Sequence, residues 1–182
     1  KKGTILISFV YVLHYTDIAK KCAEKGIDLI SMDMIPRTTL AQKMDVLSSQ
    51  ANIAGYKSVI LAANELGKIF PLMMTAAGTI SPAKVVIMGA GVAGLQALGT
   101  AKRLGAVVEV SDIRTAVKEE VQSLGGRFIE VEGAEDMQDA GGYAKEASPE
   151  FLQKQKETIF KHVTEADIVI TTALVPGRKA PV

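Results

Sequence analysis

The chain is poor in the residues that several kinds of chemistry require. Of its 182 residues one is a cysteine, Cys22, so no internal disulfide can form and a reducing compartment fits. Two histidines occur, His14 and His162, and neither has a second His, Cys or paired carboxylate at ligand spacing, so no metal site is expected. Tryptophan is absent, aromatics make up 5%, and a formal net charge of +1 comes without a dense Lys/Arg cluster. That combination argues against nucleic acid as a partner, since base stacking and backbone tracking both lack their residues. The longest nearly apolar run, Ile5 to Leu13, is interrupted by Ser8 and falls well short of the roughly twenty residues that cross a bilayer as a helix. It reads as a strand, and no membrane span is expected. Lys1-Lys2-Gly3 leads into a β-rich run with no small-residue cleavage site behind it, unlike a signal peptide. With no G-x-S-x-G elbow and no plausible Cys/His pair, hydrolytic nucleophile chemistry has no support either. The chemistry has to come from a cofactor.

What is present points the same way. Hydrophobic residues at 48% and charged residues at 23% suit a globular chain long enough for one domain and part of another. Residues 85–94 read V-V-I-M-G-A-G-V-A-G: an apolar run, then Gly89, Gly91 and Gly94, then Val92, Leu95, Leu98, Ala101 and Leu104 at helical spacing. This is strand, tight turn and helix. Gly89 permits the turn, Gly91 lets the backbone approach a pyrophosphate, and Gly94 lets helix and strand pack closely, with the phosphate facing the helix N-terminus. Three glycines alone fit equally well a turn that binds nothing. A second apolar run, residues 106–110, ends at Ser111-Asp112, where an acid that holds a ribose hydroxyl is expected. A carboxylate accepts from a 2′-hydroxyl but repels a 2′-phosphate, so NAD is favoured over NADP. Arg114 is either a cation within reach of a phosphate or an exposed residue entering the helix around Ala116 to Leu124.

Along the chain, residues 4–13 read as a strand, 16–25 as a helix stopped by Gly26, and Ile27 to Met32 as a second strand. From Thr39 to Phe70 the pattern is helical, with Tyr56, Val59, Ile60, Ala63, Leu66 and Phe70 as one stripe, until Pro71 interrupts it. Beyond the fingerprint, helices are expected to end at Gly105 and at Gly125-Gly126, a third strand at Arg127 to Val131, and a fourth at 168–170. Residues 132–147 lack an apolar period and read as a mobile surface loop. The fold class is therefore α/β: a Rossmann-like, doubly wound parallel sheet, incomplete at its C-terminal side, plus the end of a second β-α-β domain joined to it by a long helix. Four strands fall short of the about six of a full dinucleotide fold.

A second constellation lies in R-T-T-L-A-Q-K-M-D-V-L-S-S-Q-A-N-I-A-G-Y, residues 37–56. Gln42, Asp45, Ser48 and Ser49 fall on one helical face or its entering loop, which from spacing alone is most simply a solvated face. Arg37 is a surface cation or a partner for Asp45.

That stretch, with G-A-G-V-A-G-L-Q-A at 89–97, G-G-Y-A-K-E at 141–146 and T-T-A-L-V-P-G-R-K-A-P at 171–181, resembles the NAD(H)-binding component of the proton-translocating nicotinamide nucleotide transhydrogenases, a family related to alanine dehydrogenase. The resemblance covers nearly the whole chain, although V-Y-V-L-H-Y-T at 10–16 departs from the proline- and asparagine-containing sequence usual there. It implies that residues 1–36 are the C-terminal part of an N-terminal α/β domain, 37–78 a nicotinamide loop and helical connector, and 79–182 the NAD-binding domain. It further implies that Arg37, Gln42, Asp45 and Ser48 contact the nicotinamide ring and carboxamide. By the same resemblance Val92 lies near the pyrophosphate, Asp112 holds the adenosine ribose, and Tyr143 sits on a loop closing over the nucleotide. The implied reaction is direct hydride transfer from NADH to NADP⁺ on a partner domain, coupled to proton translocation. The implied partners are that NADP-binding domain, a membrane domain and a second copy of the chain. The implied place is a soluble domain on the cytoplasmic or mitochondrial-matrix side. An alanine-type amino-acid dehydrogenase and a non-catalytic NAD-binding module are the alternatives.

Overall fold

The computed structural model describes residues 1–131 and 149–173. The chain divides into two compact units, Lys1–Gln50 and the remainder from Ala51 onward.

In the first unit, strand β1 (Ile5–Ser8) pairs in parallel with β2 (Asp28–Ser31) across helix α1 (Thr16–Glu24). β1 is shorter than its apolar run because the chain turns at once: the Val10 and Tyr11 N–H groups both donate to Asp33 Oδ1 at 3.1 Å, and Tyr11 adopts a left-handed φ of 52°. A ladder cannot continue where its donors are taken by a side chain. A 3-10 segment, Thr39–Met44, follows, and helix α2 (Val46–Glu65) then crosses the boundary between the units. The continuous helical pattern expected from Thr39 to Phe70 is thus broken at Asp45, whose carboxylate caps a new helix start, and α2 ends before Gly67 rather than at Pro71. Apolar spacing carries over a break of this kind because a 3-10 turn and an α-turn differ by only about half a residue.

The second unit is built on a four-stranded sheet in which β5 (Lys84–Met88), β6 (Val107–Ser111), β7 (Arg127–Phe128) and β8 (Ile168–Thr171) all run parallel in the order β7-β6-β5-β8. Chain order thus moves outward from β5 to β7 and then reverses to β8 on the other side. A hairpin, β3 (Met73–Thr75) and β4 (Gly78–Ile80), precedes the sheet. It turns on Ala76-Ala77, which carries none of the Asn-Gly or Asp-Gly chemistry that makes hairpins legible in sequence.

Helices α3 (Val92–Arg103) and α4 (Lys118–Ser123) stop just before Gly105 and Gly125, as their C-terminal glycines predict. One face of the sheet is apolar: Val85, Ile87, Val108, Val110, Ile168 and Ile170 pack with Ala97, Leu98 and Ala101 of α3 and Val121 of α4. The alternate residues of β5 and β6 point the other way, and there Glu109 meets His162 of helix α5 (Pro149–Thr164). Helices on both faces of a parallel sheet make the fold doubly wound. Among the described residues no helix is long and apolar enough to cross a membrane.

Candidate functional site

The glycine fingerprint sits where chain order reverses, at the C-terminal ends of β5 and β8, the crevice in which open α/β sheets bind ligands. Gly89 leaves β5 with φ +107°, a value that L side chains rarely adopt, while its N–H still donates to Ser111 O at 2.8 Å. Its carbonyl accepts from Thr172 Oγ1 at 2.9 Å, and the Thr172 N–H donates to Met88 O at 2.8 Å. Thr172, just past β8, therefore clamps the turn. Nothing in the local sequence of Thr172 announces this, because its partners lie more than eighty positions away.

The three glycines have different reasons to be there. A Cβ at Gly94 would overlap the Gly89 carbonyl oxygen, so this position is dictated by the close approach of α3 to the turn. A Cβ at Gly55 of α2 would likewise overlap the Ala93 carbonyl oxygen, which brings a second helix onto the first turn of α3. At Gly91 a Cβ would meet nothing within 4 Å. Among the described residues no contact therefore requires a glycine there, and the open space they leave in front of it is what a pyrophosphate approaching the backbone needs. Gly91 is also the N-cap of α3 and supplies no side-chain cap, so among the described residues the first N–H groups of the helix face that space without a side-chain acceptor. Val92, the first residue of the helix, is exposed beside it. These features fit a bound dinucleotide phosphate.

Asp112 follows β6 and turns back toward the fingerprint. Its Oδ2 accepts the Ala90 N–H at 2.7 Å and Arg114 Nη2 at 2.8 Å, and its Oδ1 accepts the Arg114 N–H and Nε, both at 2.9 Å. Burial works to raise the pKa of this carboxyl, but the bonds from Arg114 and Ala90 outweigh it and hold it below the ordinary value. Arg114 is not the exposed residue entering a helix that its sequence position allows. Its side chain is 16% exposed and forks onto Asp112.

In the first unit the structure brings three of the four expected nicotinamide contacts together. Asp45 Oδ1 accepts the Ser48 N–H at 2.9 Å, its Oδ2 accepts Ser48 Oγ at 2.7 Å, and Arg37 Nε lies 3.8 Å from Oδ2. The two Ser48 bonds, helped by the charge of Arg37, hold the Asp45 carboxyl below its ordinary pKa against the opposing effect of burial. Asp45 is thus an N-cap and the partner of Arg37, a role its spacing allowed but did not single out. Gln42 is exposed in the 3-10 segment; its backbone carbonyl accepts the Asp45 N–H at 3.2 Å, but among the described residues its side chain joins neither Asp45 nor Ser48. Tyr143 and its loop lie outside the described residues.

Comparison with known proteins shows the family of the chain and its fold. The family model described as alanine dehydrogenase/PNT, C-terminal domain, matches residues 58–182, and the one described as alanine dehydrogenase/PNT, N-terminal domain, matches residues 1–54. The chain is 50% identical to the NAD(P) transhydrogenase subunit alpha of Cereibacter sphaeroides over 100% of its own length and 35% of that protein's. Its structure superimposes on the transhydrogenase from Sinorhizobium meliloti with a TM-score of 0.87 at 47% identity, covering 100% of this chain and 48% of that one. An L-alanine dehydrogenase shares the fold, with a TM-score of 0.70 at 24% identity over 100% of this chain and 45% of that one. The chain thus spans less than half the length of each of these. With both domain models matched in order and half of all positions identical to a transhydrogenase subunit, the chain belongs to the alanine dehydrogenase/PNT family.

Proposed function

We propose that this chain is the NAD(H)-binding part of a transhydrogenase, working with an NADP-binding domain and a membrane domain on the cytoplasmic or matrix side, and paired with a second copy of itself. The observation that supports it most is Gly91: a glycine that no contact among the described residues requires, at a helix N-terminus with no side-chain cap, at the switch point of the sheet. Bound NADH supplies the hydride that passes to NADP⁺, a transfer that needs no general acid or base.

The residues of the chain bind and orient. The α3 N-terminus and Gly91 take the pyrophosphate, Val92 packs beside it, and Gly89 and Gly94 hold the turn in shape. Asp112 anchors the adenosine ribose and disfavours a 2′-phosphate, so NAD is the cofactor of this part. Arg37, Gln42, Asp45 and Ser48 orient the nicotinamide ring, with Asp45 and Ser48 already locked together and Gln42 exposed for contact. Tyr143 covers the ligand, and water is excluded from the reacting ring.

Two substitutions test binding and transfer separately. Gly91→Ala places a methyl group in open space at a backbone conformation that alanine accepts, so its melting temperature is expected to match that of the wild type. Its NADH affinity in calorimetric titration is expected to fall about tenfold, because the phosphate loses its close approach. Unchanged affinity would remove the pyrophosphate from this turn. Gln42→Asn shortens one side chain by a methylene and is expected to slow single-turnover hydride transfer in the reconstituted complex by about tenfold, with little change in NADH affinity. A loss of affinity with normal turnover would make Gln42 an anchoring contact instead.

A further inference from the structure

A carboxylate offers about four acceptor positions, two on each oxygen. All four on Asp112 are filled: Oδ1 by the Arg114 N–H and Nε, Oδ2 by the Ala90 N–H and Arg114 Nη2, at 2.7 to 2.9 Å. A ribose diol therefore cannot be accepted by this carboxylate without displacing something. The four donors are not equally displaceable. The Ala90 N–H belongs to the glycine turn, which Ser111 and Thr172 pin from either side, and the Arg114 N–H lies two residues along the same backbone. Moving either would unmake the site. The Nε and Nη2 donors leave by rotation of one side chain, and they occupy one position on each oxygen, which is what a 2′,3′-diol would take.

We propose that Arg114 is the specificity-determining residue of the nucleotide site: its guanidinium competes with the adenosine ribose for Asp112, and once displaced it stands beside the 2′ position as a cation. This rests on the reading of the fingerprint as a dinucleotide site. Arg114 then acts in opposite directions on the two nucleotides. It weakens NADH, which has to break a bidentate charge-assisted pair before Asp112 can receive it. It aids NADPH, whose 2′-phosphate gains a partner and meets an acid whose charge is partly offset. Asp112 selects for NAD, and Arg114 moderates that selection. An arginine that merely bolsters the turn would, on removal, weaken both nucleotides alike.

The test is calorimetric titration of the full-length protein with NADH and, separately, NADPH, for wild type, Arg114→Gln and Arg114→Lys. Wild type is expected to bind NADH at least about tenfold more tightly than NADPH. In Arg114→Gln the NADH dissociation constant should fall about threefold and that of NADPH should rise about tenfold, widening the preference. Lysine keeps the charge but cannot fork, so Arg114→Lys should tighten NADH while leaving NADPH near the wild-type value, and it serves if the glutamine variant does not fold. Wild-type NADH binding with the preference unchanged or narrowed in the variants overturns the role of Arg114 alone. Failure of wild type to bind either nucleotide overturns the dinucleotide reading and this inference with it.

Discussion

Gly94→Ala is expected to destabilise the second unit by about 2 kcal/mol or more, while Gly99→Ala, five positions along the same helix, should leave it as stable or stabilise it. Both changes gain the same helix propensity, about 0.8–1.0 kcal/mol for alanine over glycine. What differs is the room. At Gly94 the new methyl group overlaps the Gly89 carbonyl oxygen and lies 2.9 Å from its carbon and 3.1 Å from Thr172 Oγ1. The turn cannot yield, because the Gly89 N–H is held by Ser111 O and its carbonyl by Thr172 Oγ1. Overpacking a site with no give costs about 1–3 kcal/mol and sometimes more, and here the obstacle is backbone, so the upper end applies and the propensity gain is overwhelmed. At Gly99 the nearest atom is an Arg103 guanidinium nitrogen at 3.4 Å, an ordinary contact at the end of a flexible side chain. Calorimetric melting decides it. A Gly94→Ala protein that melts at or above the wild-type temperature would mean that the turn is not packed as described.

The second large effect lies beneath the sheet. Glu109 is buried on β6, and its Oε2 sits 3.2 Å from Lys84 Nζ of the neighbouring strand and 2.8 Å from His162 Nδ1 of α5. Lys84 also reaches Glu165 at 2.9 Å. Removing one partner of a fully buried pair costs about 3–5 kcal/mol; since Lys84 keeps an exposed partner and His162 is a third exposed, about 2 kcal/mol is expected for Glu109→Gln at pH 7.

This loss should depend on pH in one direction. Burial works to raise the pKa of Glu109, and the His162 and Lys84 bonds more than offset it, so the folded value is below the ordinary one. A carboxyl whose folded pKa is depressed contributes stability that is present above its unfolded value of about 4.3 and disappears as pH falls through the folded value. Wild type and Glu109→Gln should therefore differ in urea denaturation at pH 7 and converge well below pH 4. A gap that persists unchanged into acid would show that the glutamine fails for reasons of shape rather than charge.

Much of this architecture is legible in the chain because its signals are local. The fingerprint strand, turn and helix occupy contiguous residues, and the period of Leu95, Leu98 and Ala101 and the glycines that close α3 and α4 act through neighbours three or four positions away. Where the expected elements differ from the observed ones, a side chain or a strand pairing has intervened. Asp33 takes the donors that would extend β1, Asp45 restarts the helix that apolar spacing ran together, and the β3–β4 hairpin forms on two alanines because its strands pair, without a turn signal.

The site divides in the same way. From the sequence alone follow the presence of a phosphate-sized turn at Gly89, Gly91 and Gly94 and the acid at Asp112 after the next strand, since each is a matter of residue type and spacing. Which of those groups are free and which are spent was decided only by the tertiary structure. A carboxylate reads the same in a sequence whether its lone pairs are open or filled. Asp112 turns out to be saturated by Ala90 and Arg114, Asp45 to cap a helix, and Glu109 to bond Lys84 and His162, from elements up to fifty-three positions away. Hydrogen bonds form between atoms within about 3 Å in space, and for these partners only the packing of strands and helices sets that distance.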